Sequence, residues 1–103
     1  MGLIYYGSSP DPIEVDDRTL AHVKVVIALK LRRNESFTLS WRHPDGSGRS
    51  TLWLHPSIPL RFSFDDPVTP DLSQQWLREL STSANTSGGI LLTEEHIEPV
   101  EIV

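Results

Sequence analysis

Residues 16–33 read DDRTLAHVKVVIALKLRR, and whether this stretch is helix or strand decides the fold. Two periodicities compete in it. Leu20, Val23, Ile27 and Leu31 keep helical spacing, whereas Val23, Val25, Ile27, Leu29 and Leu31 alternate as a strand does. The ends favour the helix. A carboxylate at Asp16 or Asp17 can accept the orphan amides of a first helical turn and suits the positive end of the helix dipole, while Lys30, Arg32 and Arg33 suit the negative end. The run is also longer than most strands. A helix is therefore predicted from about Arg18 to Arg33, with Lys24 inside its apolar stripe and Val25 and Leu29 on a second apolar side. A helix apolar on two sides is usually covered on two sides, by a sheet and by a second helix or a partner subunit. Val25 and Leu29 are thus the expected interface residues.

Working outward, Leu3 to Tyr6 and Ile13 to Val15 read as a strand pair joined by a turn rich in Ser, Pro and Asp. Beyond the helix, Phe37 to Arg42 and Ser50 to His55 form a hairpin. Its loop contains Gly46 and Gly48, which permit positive backbone angles. Folding about Gly46 and Ser47 would set Trp41 opposite Leu52 and Leu39 opposite Leu54. Leu60 to Phe64 follows a link with Pro56 and Pro59 and would complete a meander. Asp71 with Gln74 three residues on is a capping signature for a second helix, Leu72 to Ala84, with a stripe of Leu72, Trp76, Leu80 and Ala84. Gly88 and Gly89 end it, and Ile90 to Thr93 supply a last strand. Residues 94–103, with Glu94, Glu95, Glu98 and Glu101, read as an acidic C-terminal tail or an edge strand. The order ββαβββαβ predicts a single α+β domain over 1–93, an antiparallel sheet with two helices packed on one face.

The chain has 103 residues, of which 38% are hydrophobic, and no cysteine. There is room for one domain, and folding should bury roughly 65% of the surface of the unfolded chain. Without cysteine there is no disulfide framework, no Cys-ligated metal and no thiol nucleophile. The formal net charge of −5 is the wrong sign for gripping nucleic-acid phosphate, so nucleic acid is disfavoured as a partner. No cationic stretch precedes a long apolar run, and the segment from Val23 to Leu31 is too short to span a bilayer. A cytoplasmic protein with no membrane role is expected.

Reactive side chains are scattered. His22, His43, His55 and His96 form no His-x-x-x-His or His-Glu-x-x-His pair. His43 and His55 lie at opposite ends of the expected hairpin, about 15 Å apart at about 3.3 Å per residue, so each histidine reads as an ordinary surface or turn residue. No Gly-x-Ser-x-Gly elbow occurs, and no serine has a His and a carboxylate in a recognisable order, so serine hydrolysis is not expected. Gly46-Ser47-Gly48 has no helix behind it and reads as a turn, not a phosphate loop. Asp16-Asp17 and Asp65-Asp66 sit where caps and strand ends use Asp for backbone reasons. No metal site and no cofactor is expected.

One face stands out. Strand alternation puts Phe37, Leu39, Trp41, Leu52, Leu54, Leu60, Phe62 and Phe64 on the covered side. Thr38, Ser40, Arg42, Thr51, Trp53, His55, Arg61 and Ser63 fall on the other. Trp53 would lie diagonally from Arg42 and near Arg61, an arrangement able to stack a planar group and neutralise an anion. Arg42, Trp53, His55 and Arg61 are therefore the candidate ligand-binding residues. The competing reading is that Trp53 packs with Arg stems, or lies beneath the N-terminal hairpin with Tyr5 and Tyr6.

The stretches MGLIYYG (1–7), PIEVDDRTLAHVKVVIALKLRR (12–33), ESFTLSW (35–41), TLWLHPSIPL (51–60) and SANTSGGIL (83–91) resemble a family of small bacterial proteins of unknown function. These proteins carry the label ATP-dependent DNA ligase. That label implies a Lys-x-Asp-Gly nucleophile bearing AMP on the lysine nitrogen. Here Lys24 is followed by Val25-Val26-Ile27 and Lys30 by Leu31-Arg32-Arg33. His43-Pro44-Asp45-Gly46 has His where the lysine belongs, so no catalytic residue is carried over from the resemblance. The expected function is a non-enzymatic domain acting by association, with itself or with another protein, through the second side of the first helix or an exposed strand edge. The alternative is a nucleic-acid or nucleotide accessory domain using Arg42, Trp53 and Arg61.

Overall fold

The computed structural model describes residues 1–43 and 45–93. In chain order its elements are β1 (Gly2–Tyr6), β2 (Ile13–Val15), α1 (Asp17–Arg32), β3 (Phe37–Arg42), β4 (Arg49–Leu54), β5 (Leu60–Ser63), α2 (Gln74–Ala84) and β6 (Ile90–Leu91). The order is the expected ββαβββαβ, and the class is α+β. Residues 16–33 resolve as helix because of their ends. Asp16 caps α1 by accepting the Thr19 amide at 3.2 Å, and Lys30 and Arg32 occupy its last turn.

The strands depart from the expected meander. They form two three-stranded sheets, β2-β1-β5 and β4-β3-β6. Pro56 and Pro59 flank the link after β4, where the Ile58 amide donates to the His55 carbonyl at 3.1 Å. Proline cannot donate to a ladder, so the chain leaves the second sheet there. β5 instead pairs antiparallel with β1, Tyr6 opposite Leu60 and Leu3 opposite Ser63. The second sheet is mixed: β6 lies parallel to β3, with Leu39 opposite Ile90. The expected register of the hairpin also shifts by two residues. Trp41 faces Ser50, Leu39 faces Leu52 and Phe37 faces Leu54. A two-residue shift leaves every side chain on its expected face, so Phe37, Leu39 and Leu54 are buried as anticipated.

α1 buries Leu20, Val23, Val26 and Ile27, which join Ile4, Ile13 and Val15 of the first sheet and Phe37, Leu39, Leu54 and Ile90 of the second in one core. Burying each such side chain contributes about 1.5–3 kcal/mol. α2 starts two residues later than expected. Its cap is Ser73, whose hydroxyl accepts the Trp76 amide at 3.2 Å, and Leu72 precedes the helix. Trp76, Leu80 and Ala84 form its buried stripe. His22 is a further correction. It is not a surface histidine but is fully buried, with its Nδ1 at 2.7 Å from the Arg18 carbonyl and its Nε2 accepting the Ser73 amide at 2.8 Å. A carbonyl can only accept, so Nδ1 carries the proton. The expected acidic tail or edge strand over 94–103 lies outside the described residues. Among the described residues no helix is long and apolar enough to cross a membrane.

Candidate functional site

Three surface features are assembled by this fold. The first is a cleft of about 500 Å³ between α1 and the loop of residues 65–72. Local chemistry builds it. The Asp17 carboxylate accepts the Asp66 amide at 2.9 Å and the Asp65 amide at 3.1 Å, while Arg18 donates to the Asp71 carbonyl at 2.7 Å. The loop is thus tied to the first turn of α1 at both ends. Between them Asp66 closes an Asx turn onto the Val68 amide at 2.9 Å. Ala21, Val25, Phe64, Pro67, Val68 and Leu72 are the apolar walls. Val68 is 69% exposed, and the Lys24 ammonium stands 5.5 Å from the Phe64 ring centre. Asp16, Asp17 and Asp66 outnumber Arg18 and Lys24 among the charged residues lining the cleft. Of the two expected interface residues, half-buried Val25 lines this cleft. Leu29, 39% exposed, lies outside its lining.

The second feature is the outer face of the hairpin. Trp53 is 61% exposed and sits opposite Thr38, next to the hydroxyl pair Ser40 and Thr51 at 2.8 Å. Arg42 lies at the turn end opposite Arg49, about 13 Å along the strand from the Trp53 position at about 3.3 Å per residue. Arg61 belongs to the other sheet, where its guanidinium stacks 4.6 Å over Tyr5. The His55 imidazole bonds the Ser57 hydroxyl at 2.7 Å. Trp53 and His55 stand two residues apart, and the Tyr6 hydroxyl bridges their backbones: it donates to the Trp53 carbonyl at 2.7 Å and accepts the His55 amide at 3.1 Å. Beside Trp53 runs a groove of about 390 Å³ lined by Lys30, Glu35, Thr38 and Asn85. Lys30 bonds the Asn85 side chain and pairs with Glu35 at 2.9 Å. The hydrogen bond from Lys30 holds the Glu35 carboxyl below its usual range.

The third feature escaped sequence reasoning. The shifted hairpin register brings Ser50 to His43, and His43 Nε2 lies 2.7 Å from Ser50 Oγ. On the far side of the ring, His43 Nδ1 lies 3.2 Å from Ser47 Oγ. Asp45 accepts the Ser47 amide at 2.9 Å, and hydrogen bonds from the hydroxyl and the amide of Ser47 hold its carboxyl below the usual range. Both His43 and Ser50 line a groove of about 820 Å³ whose other walls include Ile13, Val15, Trp41 and Leu92. Its sequence signal is a His and a Ser seven residues apart across a turn with two glycines, a pattern unlike the Gly-x-Ser-x-Gly of a strand-to-helix elbow. Among the described residues no group of three or more His, Asp or Glu side chains is placed to hold a metal ion.

The model of a family described as a domain of unknown function (DUF7882) matches residues 1–95. No curated protein and no solved structure matches the chain.

Proposed function

We propose that this chain, which belongs to the DUF7882 family, works by association, docking an apolar segment of a protein partner in the cleft beside α1. The observation that carries this reading is the exposure of Val68 on a loop that Asp17 and Arg18 hold in place. A large aliphatic left in water at the lip of a preformed apolar cleft supports recognition of another apolar group. The excess of carboxylates around the cleft and the chain's net charge of −5 select the flanks of that group. The partner presents an apolar anchor next to Lys or Arg. The setting is the cytoplasm. Ligase chemistry is no part of this reading, since Lys24 lies over Phe64 and Lys30 is engaged by Glu35 and Asn85.

A photo-crosslinking residue at position 68 of the full chain tests the reading, with the crosslinked peptide sequenced by mass spectrometry. An apolar residue flanked by Lys or Arg at the crosslink, lost when Val25→Ser is added, supports it. Crosslinks only to a second copy of the chain replace the partner by self-association. Crosslinks indifferent to Val25→Ser overturn it, as does their absence.

A second reading, base stacking on Trp53 by a nucleotide or single strand, draws on the 61% exposure of that ring. Arg42 stands at the other end of the hairpin and Arg61 stacks on Tyr5 in the other sheet, which weakens the electrostatic half of the idea. Titration with oligo(dT) at low salt that leaves the Trp53 emission unchanged disposes of it.

A further inference from the structure

The β3–β4 turn sets two serine hydroxyls on opposite sides of one imidazole. His43 Nδ1 lies 3.2 Å from Ser47 Oγ, and Ser47 is held in place by its amide, which donates to the Asp45 carboxylate at 2.9 Å. A neutral imidazole whose Nδ1 donates to Ser47 Oγ keeps its Nε2 free to accept. In that tautomer His43 Nε2 is a bare acceptor, and the atom facing it at 2.7 Å is Ser50 Oγ. A hydroxyl donating to an imidazole whose opposite nitrogen is oriented by a third group is the arrangement that activates a serine. Both groups open onto the 820 Å³ groove, the largest concavity among those described above.

We infer that Ser50 is a nucleophile activated by His43, and that the groove takes a carboxylic ester with an apolar acyl group. Ile13, Val15, Trp41 and Leu92 give the groove an apolar lining, and Arg42 on its wall supplies positive charge for a developing oxyanion. Asp11, Glu14 and Asp16 line it as well and exclude substrates with an anionic headgroup. In the step itself Ser50 Oγ bonds the carbonyl carbon and its proton passes to His43 Nε2. The bond from that carbon to the leaving alkoxy oxygen breaks, and the same proton goes to the departing alcohol. Water, deprotonated by His43, then hydrolyses the acyl-serine. Ser47 and Asp45 are positioning residues. This activity goes beyond the association reading and uses a different surface.

An alkyl fluorophosphonate tests it on the full chain. Its phosphorus bonds Ser50 Oγ, fluoride leaves and the proton goes to His43, so the adduct reports an activated hydroxyl independently of any natural substrate. The adduct is expected on Ser50 within the tryptic peptide Ser50–Arg61, absent in Ser50→Ala and formed at least tenfold more slowly in His43→Gln. p-Nitrophenyl butyrate hydrolysis should follow the same order. If His43→Gln does not fold, Ser47→Ala keeps the imidazole, removes its Nδ1 partner and should slow labelling several-fold. No adduct on Ser50, equal labelling of Ser50 and Ser57, or rates unchanged in both variants overturns the inference.

Discussion

The Tyr6 hydroxyl donates a 2.7 Å hydrogen bond to the backbone carbonyl of Trp53. β1 and β4 belong to different sheets, so this bond joins the two sheets at their corner. It also guards an edge. The turn closes with the His43 amide on the Gly48 carbonyl, and antiparallel alternation then turns the backbone groups of Arg49, Thr51 and Trp53 away from β3. An open edge of that kind invites a second strand, and Tyr6 occupies its Trp53 end.

Tyr6→Phe should therefore do two things. Loss of the hydroxyl removes one donor and one acceptor and should cost about 0.5–1.5 kcal/mol in urea unfolding. It should also raise concentration-dependent association in sedimentation. A variant with wild-type stability and an unchanged sedimentation profile would show that the corner is held by packing alone.

Gly89 and Gly46 both have positive φ, +64° and +78°, but they should respond differently to alanine. At Gly46 an added Cβ meets nothing within 4 Å, so Gly46→Ala should cost only the backbone strain, about 1–2 kcal/mol. At Gly89 the Cβ would run into the Thr38 carbonyl, against the strand that β6 joins. Gly89→Ala should cost at least about 3 kcal/mol. Equal thermal shifts for the two variants would refute the close approach at Thr38.

His22 holds α1 to the cap of α2 and stacks on Trp76 with ring centres 4.3 Å apart. His22→Leu preserves much of the volume but strands the Ser73 amide, for a loss of about 1–3 kcal/mol. His22→Ala adds a cavity and should lose roughly 3–5 kcal/mol. The Trp76 emission should shift to the red in the alanine variant alone; a shift of equal size in the leucine variant would contradict this.

Asp45 and Glu35 are held below their ordinary 3.8 and 4.5. A carboxyl depressed by folding contributes stability above its unfolded value and loses it as pH falls through the folded one. The hairpin turn and the Lys30–Glu35 pair should therefore weaken on acidification below about pH 4, the unfolded carboxylate range, and be unaffected between neutral pH and pH 6. Both groups are exposed and the gain is small. Asp45→Asn should flatten the acid limb measured by amide exchange at Ser47, and a limb unchanged in that variant would assign it elsewhere.

Much of this architecture is legible in the sequence. The ends of α1, the covered faces of β3 and β4 and the stripe Trp76, Leu80 and Ala84 follow from periods of two and 3.6, and a period is a property of neighbours in the chain. The candidate site is less so. Alternation places Trp53 on the open face, but not its expected company, because Arg61 goes with β5 to the other sheet. Val68 was invisible in a loop of Asp and Pro, since only the tether from Asp17 and Arg18 makes that loop a wall.

Local chemistry alone settled that residues 16–33 coil, that the chain turns at Gly46, and which side of each strand is apolar, because sterics, capping and hydropathy act over a few residues. Folding in three dimensions chose the neighbour of β5, the register that sets Ser50 beside His43, and the burial of His22. Each of those choices compares contacts between segments far apart in the chain, and no stretch of residues encodes such a comparison by itself.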